Sequence, residues 1–287
     1  MLAPQACLAA AEIAFFSPAF CVAVFVLTKH GFTKQLGWIY LVLLSILRII
    51  GASCTLYVDT QNDYSTSLVA AAVTTSAIGT APLLLALMGF LERLNLGMEH
   101  RDIGTKIFRP IHIASLAALI LSIIGGTDRF KTSASDRATG KDLIEAASVL
   151  FLVIYLSLAG ITIWTLINIR WVLSGERKLI RACAAALPFL LVRIVYTVAV
   201  GFSPKDTPFY FTNVSVWARA FMQFLMEAIG VGIFVFAGLA TPRMAKSGVQ
   251  EDATEGAIVK SPTDLNSVNS NQEMECGRVP GTSSQHR

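Results

Sequence analysis

Seven apolar runs separated by short polar stretches dominate the chain, at 6–27, 36–57, 67–91, 107–127, 143–169, 182–202 and 216–242. Each is long enough to cross a hydrocarbon layer of about 30 Å as an α-helix. The pattern therefore predicts an all-α membrane protein, a seven-transmembrane helix bundle, spanning 1–242. The first run lacks a basic leader and is too long for a signal-peptide core, which makes it a retained helix. The third opens on Ala72, Ser76 and Thr80, small residues at four-residue spacing suited to close helix contact. Pro82 predicts a kink in the same helix. After Pro242 the large apolar residues give way to Ser, Thr, Asn, Gln, Glu and Gly, so 243–287 reads as a disordered tail.

Polar residues inside the runs change this picture. In the seventh, Arg219, Gln223 and Glu227 follow at i, i+4 and i+8 and project along one side of an α-helix. Ionisable groups are costly in hydrocarbon and normally face a protein interior or a wet cavity. Glu12 in the first run, Arg48 in the second, Thr74 and Thr75 in the third, and Arg193 and Tyr196 in the sixth are further polar positions. Counted from the helix ends at 1.5 Å per residue, Glu12 lies about 9 Å deep, Arg48 and Arg193 about 13 Å, and Glu227 about 16 Å. One polar layer in the half of the bundle nearer the N-terminus is expected.

Composition and charge agree with a membrane protein and narrow its class. Of 287 residues, 54% are hydrophobic and 15% charged, and the mean hydropathy is +0.61. The net charge of +4 is spread between the apolar runs and marks topology, not nucleic-acid binding. Loops one, three and five and the start of the tail hold eleven Lys and Arg, against five on the other side. This places the N-terminus luminal or outside and the C-terminus cytosolic, in the endoplasmic reticulum or the plasma membrane. Arg129, Lys131, Arg137 and Lys141 in the fourth loop dissent. Asn213-Val-Ser215 is a glycosylation sequon, too close to the seventh helix for ready modification. Four of the five cysteines lie in apolar runs, so free thiols are expected. Neither a metal-ligand spacing nor a nucleotide or haem motif occurs, and neither metal nor cofactor is expected.

The groups in the polar layer suit acid-base chemistry on a lipophilic molecule. A deep carboxyl such as Glu227 is expected to donate a proton, and a shallower Glu12 to accept one or activate water. Arg48 and Arg193 would separate the behaviour of these two acids or grip an anionic group, with Gln223, Tyr196, Thr74, Thr75 and Arg219 binding substrate. Leu47-Arg48-Ile49-Ile50 and Val192-Arg193-Ile194-Val195 also suggest two parallel three-helix units flanking the fourth helix. In the second unit, Glu145 would correspond to Glu12.

ILRIIGA at 46–52, LPFLLVRIVY at 187–196 and FLMEAI at 224–229, within a seven-helix bundle ending in a hydrophilic tail, resemble the seven-helix integral membrane proteins of filamentous fungi. More distantly the chain is similar in build to RTA-type lipid-translocating exporters and to the integral membrane terpene cyclases of secondary metabolism. The separated carboxylates with arginine neighbours lead to the expectation of a cofactor-free membrane-embedded hydrolase or cyclase that opens an epoxide or cyclises a polyketide or isoprenoid. Its alternative is an exporter or flippase whose partners are a lipophilic small molecule and membrane lipid. A seven-helix receptor is a third class: the seventh run has no lysine for a retinal Schiff base, and Glu92-Arg93 reads as a juxtamembrane topology signal.

Overall fold

In the computed structural model, residues 4–30, 36–61, 65–96, 98, 105–172, 175–204, 207 and 215–241 are described. Among them seven helices are long and apolar enough to cross a membrane: Pro4–Lys29, Leu36–Gln61, Thr66–Leu96, Phe108–Asp128, Ala134–Ile167, Arg177–Phe202 and Val216–Ala240. No strand occurs among the described residues; Met98 and Val172 form an isolated antiparallel bridge. In lipid a chain must satisfy its backbone donors and acceptors internally, which leaves helices as the solution for runs of this length. Large apolar side chains on the outside, such as Ile113, Ile167, Trp217 and Phe236, each more than 65% exposed, form the surface that lipid covers. The tail and Asn213 lie outside the described residues.

Hydropathy marks where lipid ends, not where a helix ends. The fifth helix begins at Ala134, well ahead of the expected start at 143, and runs 34 residues, about 51 Å at 1.5 Å per residue. Its polar first turns project beyond the apolar layer. There Lys141 pairs with Glu145 at 3.4 Å, and just before the helix Lys131 pairs with Asp128 at 2.7 Å. Two of the four dissenting basic residues therefore carry local acidic partners.

The first helix packs on the second and seventh, and the fourth to seventh follow one another around the bundle. The third touches the second, fourth, fifth and sixth and is the central element. Every residue from Thr80 to Leu91 is buried. The kink expected at Pro82 is a break at Gly79, between Thr66–Ile78 and Thr80–Leu96. Proline cannot donate to the carbonyl four residues back, here Ile78, and its ring crowds that carbonyl. The strain is relieved one turn upstream, where glycine gives way most easily.

The second and third helices approach closely at Gly37 and Gly89. A Cβ on Gly89 would sit 2.5 Å from the Gly37 nitrogen, and one on Gly37 would sit 2.5 Å from the Phe90 ring. Trp38, Phe90 and Phe234 pack as tilted rings beside this crossing, with centroids 4.5 and 5.0 Å apart. Gly89→Leu is expected to force the second and third helices apart and lower the thermal unfolding midpoint by several degrees or more, measured in detergent. A midpoint equal to wild type would refute the assignment of this crossing as a close backbone contact.

Candidate functional site

Arg48 from the second helix and Arg193 from the sixth converge on one carboxylate from the seventh. Glu227 Oε1 accepts from Arg48 Nη2 and Arg193 Nε, both at 2.5 Å. All three residues are buried. Arg193 Nη1 donates to Thr197 Oγ1 at 2.6 Å, and Thr197 Oγ1 meets Thr80 Oγ1 at 3.2 Å. Arg193 Nη2 donates to the Ser76 carbonyl at 3.1 Å, while Gln223 Nε2 donates to Ser76 Oγ at 2.7 Å. The Arg193 guanidinium lies over the Tyr196 ring, 5.4 Å from its centroid, a cation–π contact. Helices two, three, six and seven are thus tied at one level.

Backbone irregularity makes this convergence possible. Gly79, at the break in the third helix, lies directly against Arg48: a Cβ there would be 2.6 Å from Nη2. The seventh helix is not α-helical throughout; Arg219–Leu225 forms a π-helix between Val216–Ala218 and Met226–Ala240. Such segments often occur at functional sites. The expected stripe accordingly fans out over four partner helices. Arg219 faces Glu12 of the first helix, Gln223 faces Ser76 of the third, and Glu227 holds the arginines of the second and sixth.

Above this layer lies a cavity of about 290 Å³ walled by all seven helices. Leu8, Asp59, Ser76 and Ser122 come from the first four, and Phe151, Tyr196 and Gln223 from the last three. Gln5, Asp59, Val69, Gly201 and Val216 lie near the ends of their helices on the N-terminal face, so the cavity runs from that face to the polar layer. Arg193, Arg219, Thr197 and Gln223 supply donors on its wall. Glu12, Arg48 and Glu227 stand behind the wall. Glu12 is buried, and its Oε1 faces Arg219 Nε at 4.0 Å with neither atom hydrogen-bonded. Asp59 Oδ2 is likewise buried without a partner. Arg48 and Arg193 share Glu227, and Arg219 faces Glu12.

Of the residues expected to bind substrate, Gln223, Tyr196 and Arg219 line this cavity. Thr74 and Thr75 turn elsewhere: Thr74 packs against Gly126 of the fourth helix, and Thr75 packs against Gly51 of the second. Thr75 Oγ1 donates to its own helix, to the Ala71 carbonyl at 2.7 Å. Asp59, Ser122 and Phe151 escape sequence reading, because an acid near a helix end and ordinary residues in apolar runs carry no motif. Arg48 and Arg193 share one carboxylate, but the matching acids do not correspond: Glu12 is buried, while Glu145 is a partly exposed partner of Lys141. Cys7, Cys21, Cys54 and Cys183 are free, with Cys183 buried and Cys7 and Cys21 exposed.

A further buried ion pair occupies the opposite face. Arg93 Nη2 donates to Glu176 Oε1 at 2.5 Å, and Arg93 Nε lies 3.1 and 3.2 Å from the two oxygens. Arg93 is 2% and Glu176 3% exposed. Arg93 is therefore packed inside the protein in the last turn of the third helix.

The chain belongs to the DUF7702 family, a domain of unknown function, which matches residues 2–244. No curated protein and no solved structure matches it. The family match supports a multi-pass membrane protein and carries no fungal origin, exporter relationship or cyclase relationship.

Proposed function

We propose that the protein binds an amphipathic small molecule that enters from the N-terminal face, with an anionic or strongly accepting group held by Arg193, Arg219 and Gln223. One observation carries this reading: a cavity walled by all seven helices has the guanidiniums of Arg193 and Arg219 and the amide of Gln223 on its wall. Its size, about 290 Å³, is close to the lower end for small-molecule sites, about 300 Å³. Val73, Ala77 and Phe151 would cover the apolar body of such a ligand, and Asp59 stands at the mouth. The charge distribution along the chain supports an N-terminal face that is luminal or extracellular.

A membrane-embedded hydrolase or cyclase is the second reading, favoured by Glu12. Its Oε1 is free of hydrogen bonds and lies next to Arg219, which reaches the cavity. Glu12 would act as the general base, reached from the cavity past Arg219. Glu227 fits a proton donor poorly, because Oε1 already holds two guanidiniums behind the cavity wall. An exporter would need a path past the polar layer, and the third helix below it is buried on every side from Ala81 to Leu91.

The test is native mass spectrometry of the protein purified from its own membranes in nanodiscs. Wild type is expected to retain a small molecule that Ala72→Trp, which fills the cavity, loses by tenfold or more. Identical profiles from the two proteins would reject the binding site. Metabolite profiles from a deletion strain complemented with wild type or Glu12→Gln separate the readings. A precursor that accumulates with Glu12→Gln supports chemistry, and an unchanged product pattern leaves binding alone.

A further inference from the structure

A second recess lies on the outside of the bundle, away from the cavity. It is a groove of about 620 Å³ between the sixth and seventh helices, toward the face where the sixth begins. The two helices leave room there that side chains usually fill. A Cβ on Gly232 would meet nothing within 4 Å. Ala182 and Ala185 form the opposing wall, and Phe236, 73% exposed, lies along the edge.

Charge distinguishes this groove from an ordinary lipid-facing furrow. Lys178 and Arg181 close one end and share a helical face with Ala182 and Ala185, at i, i+3, i+4 and i+7. Among the described residues neither cation has an ion pair, and the neighbouring acid, Glu176, is committed to Arg93. From Lys178 to Ala185 the groove runs about 10 Å along the helix, from headgroup depth into hydrocarbon. We propose that this groove is a binding site for an anionic phospholipid, with its phosphate on Lys178 and Arg181 and an acyl chain along Ala182, Ala185 and Gly232.

Three arguments select this occupant. Basic pockets between transmembrane helices at the headgroup level recognise anionic lipid headgroups. The charge distribution of the chain puts this end on the cytosolic side, where anionic phospholipids are concentrated. A second copy docked about a two-fold axis normal to the membrane would bring both pairs of cations together at one depth, with no acid among the residues that line the groove.

Native mass spectrometry of the full chain in detergent, titrated with phosphatidylserine or phosphatidylcholine of identical acyl chains, tests the site. Wild type is expected to retain phosphatidylserine about tenfold over phosphatidylcholine. K178Q/R181Q should bring the two to parity with an unchanged unfolding midpoint, both side chains being exposed. Gly232→Leu leaves the cations and fills the groove, and should reduce retention of both lipids. Equal retention of the two lipids by wild type, or undiminished phosphatidylserine retention in either variant, would overturn the proposal. So would a concentration-dependent dimer that Gly232→Leu dissociates, which would assign the groove to a second copy of the chain.

Discussion

Glu227→Leu is expected to leave little folded protein. The carboxylate is the shared partner of Arg48 and Arg193, both 4% or less exposed. Removing one member of a buried ion pair costs about 3–5 kcal/mol, because the remaining charge stays out of water without compensation. Here two guanidiniums lose their partner together, at the level where four helices meet. Ser76 and Thr197 would remain as acceptors for Arg193, and neither carries charge. Glu227→Gln keeps an acceptor and should fall between Leu and wild type. The triple variant Arg48→Met, Arg193→Met, Glu227→Leu removes every member of the cluster and should recover much of the lost stability. Unfolding midpoints and the monodisperse fraction in detergent read the series. A Glu227→Gln protein as stable as wild type but unable to process its ligand would reverse this assignment and restore Glu227 as a proton donor.

The seven helices were legible because length and hydropathy suffice to recognise a membrane span. The members of the polar layer were legible too, since an arginine or glutamate within an apolar run is conspicuous and costly. Facing was harder to read. Lipid tails and a protein interior are equally apolar, so an apolar face does not say which of the two it meets. For that reason Thr74 and Thr75 looked equivalent to Gln223, although they pack against Gly126 and Gly51. The central place of the third helix went unread for the same reason. Its run from Ala81 to Leu91 differs little in hydropathy from runs that meet lipid.

Irregular backbone was the other gap. Spacing of i, i+4 and i+8 assumes an α-helix, whereas Arg219–Leu225 is a π-helix. No local residue signal announces the wider turn. Pro82 did announce an irregularity, but a proline acts on the carbonyl four residues earlier, so the break appears at Gly79. That displacement has a consequence for the site, because the Arg48 guanidinium lies where a side chain on residue 79 would be.

The second large effect is expected at the opposite face, from Arg93→Met. Arg93 ends the third helix, and Glu176 holds the N-cap position of the sixth. An N-cap carboxylate ordinarily accepts from backbone N–H groups of its own helix. Glu176 makes no side-chain cap bond; both its oxygens turn to Arg93 instead. The pair therefore joins the last turn of the third helix to the start of the sixth, alongside the Met98–Val172 bridge. Arg93→Met would leave the Glu176 carboxylate buried and unpaired, at a cost of about 3–5 kcal/mol. Glu176→Gln retains an oxygen acceptor and should cost less. Combining Arg93→Met with Glu176→Leu should recover part of the loss, a coupling that a double-mutant cycle on unfolding midpoints measures. Hydrogen exchange localises the effect. Amides near Met98 and Val172 should exchange faster in Arg93→Met while those around Glu227 keep their protection, since Glu176 and Arg193 lie about 25 Å apart along the sixth helix. Equal loss of protection at both layers would instead make them one cooperative unit, and would mean that a ligand drawing Arg193 away from Glu227 also acts on the far face.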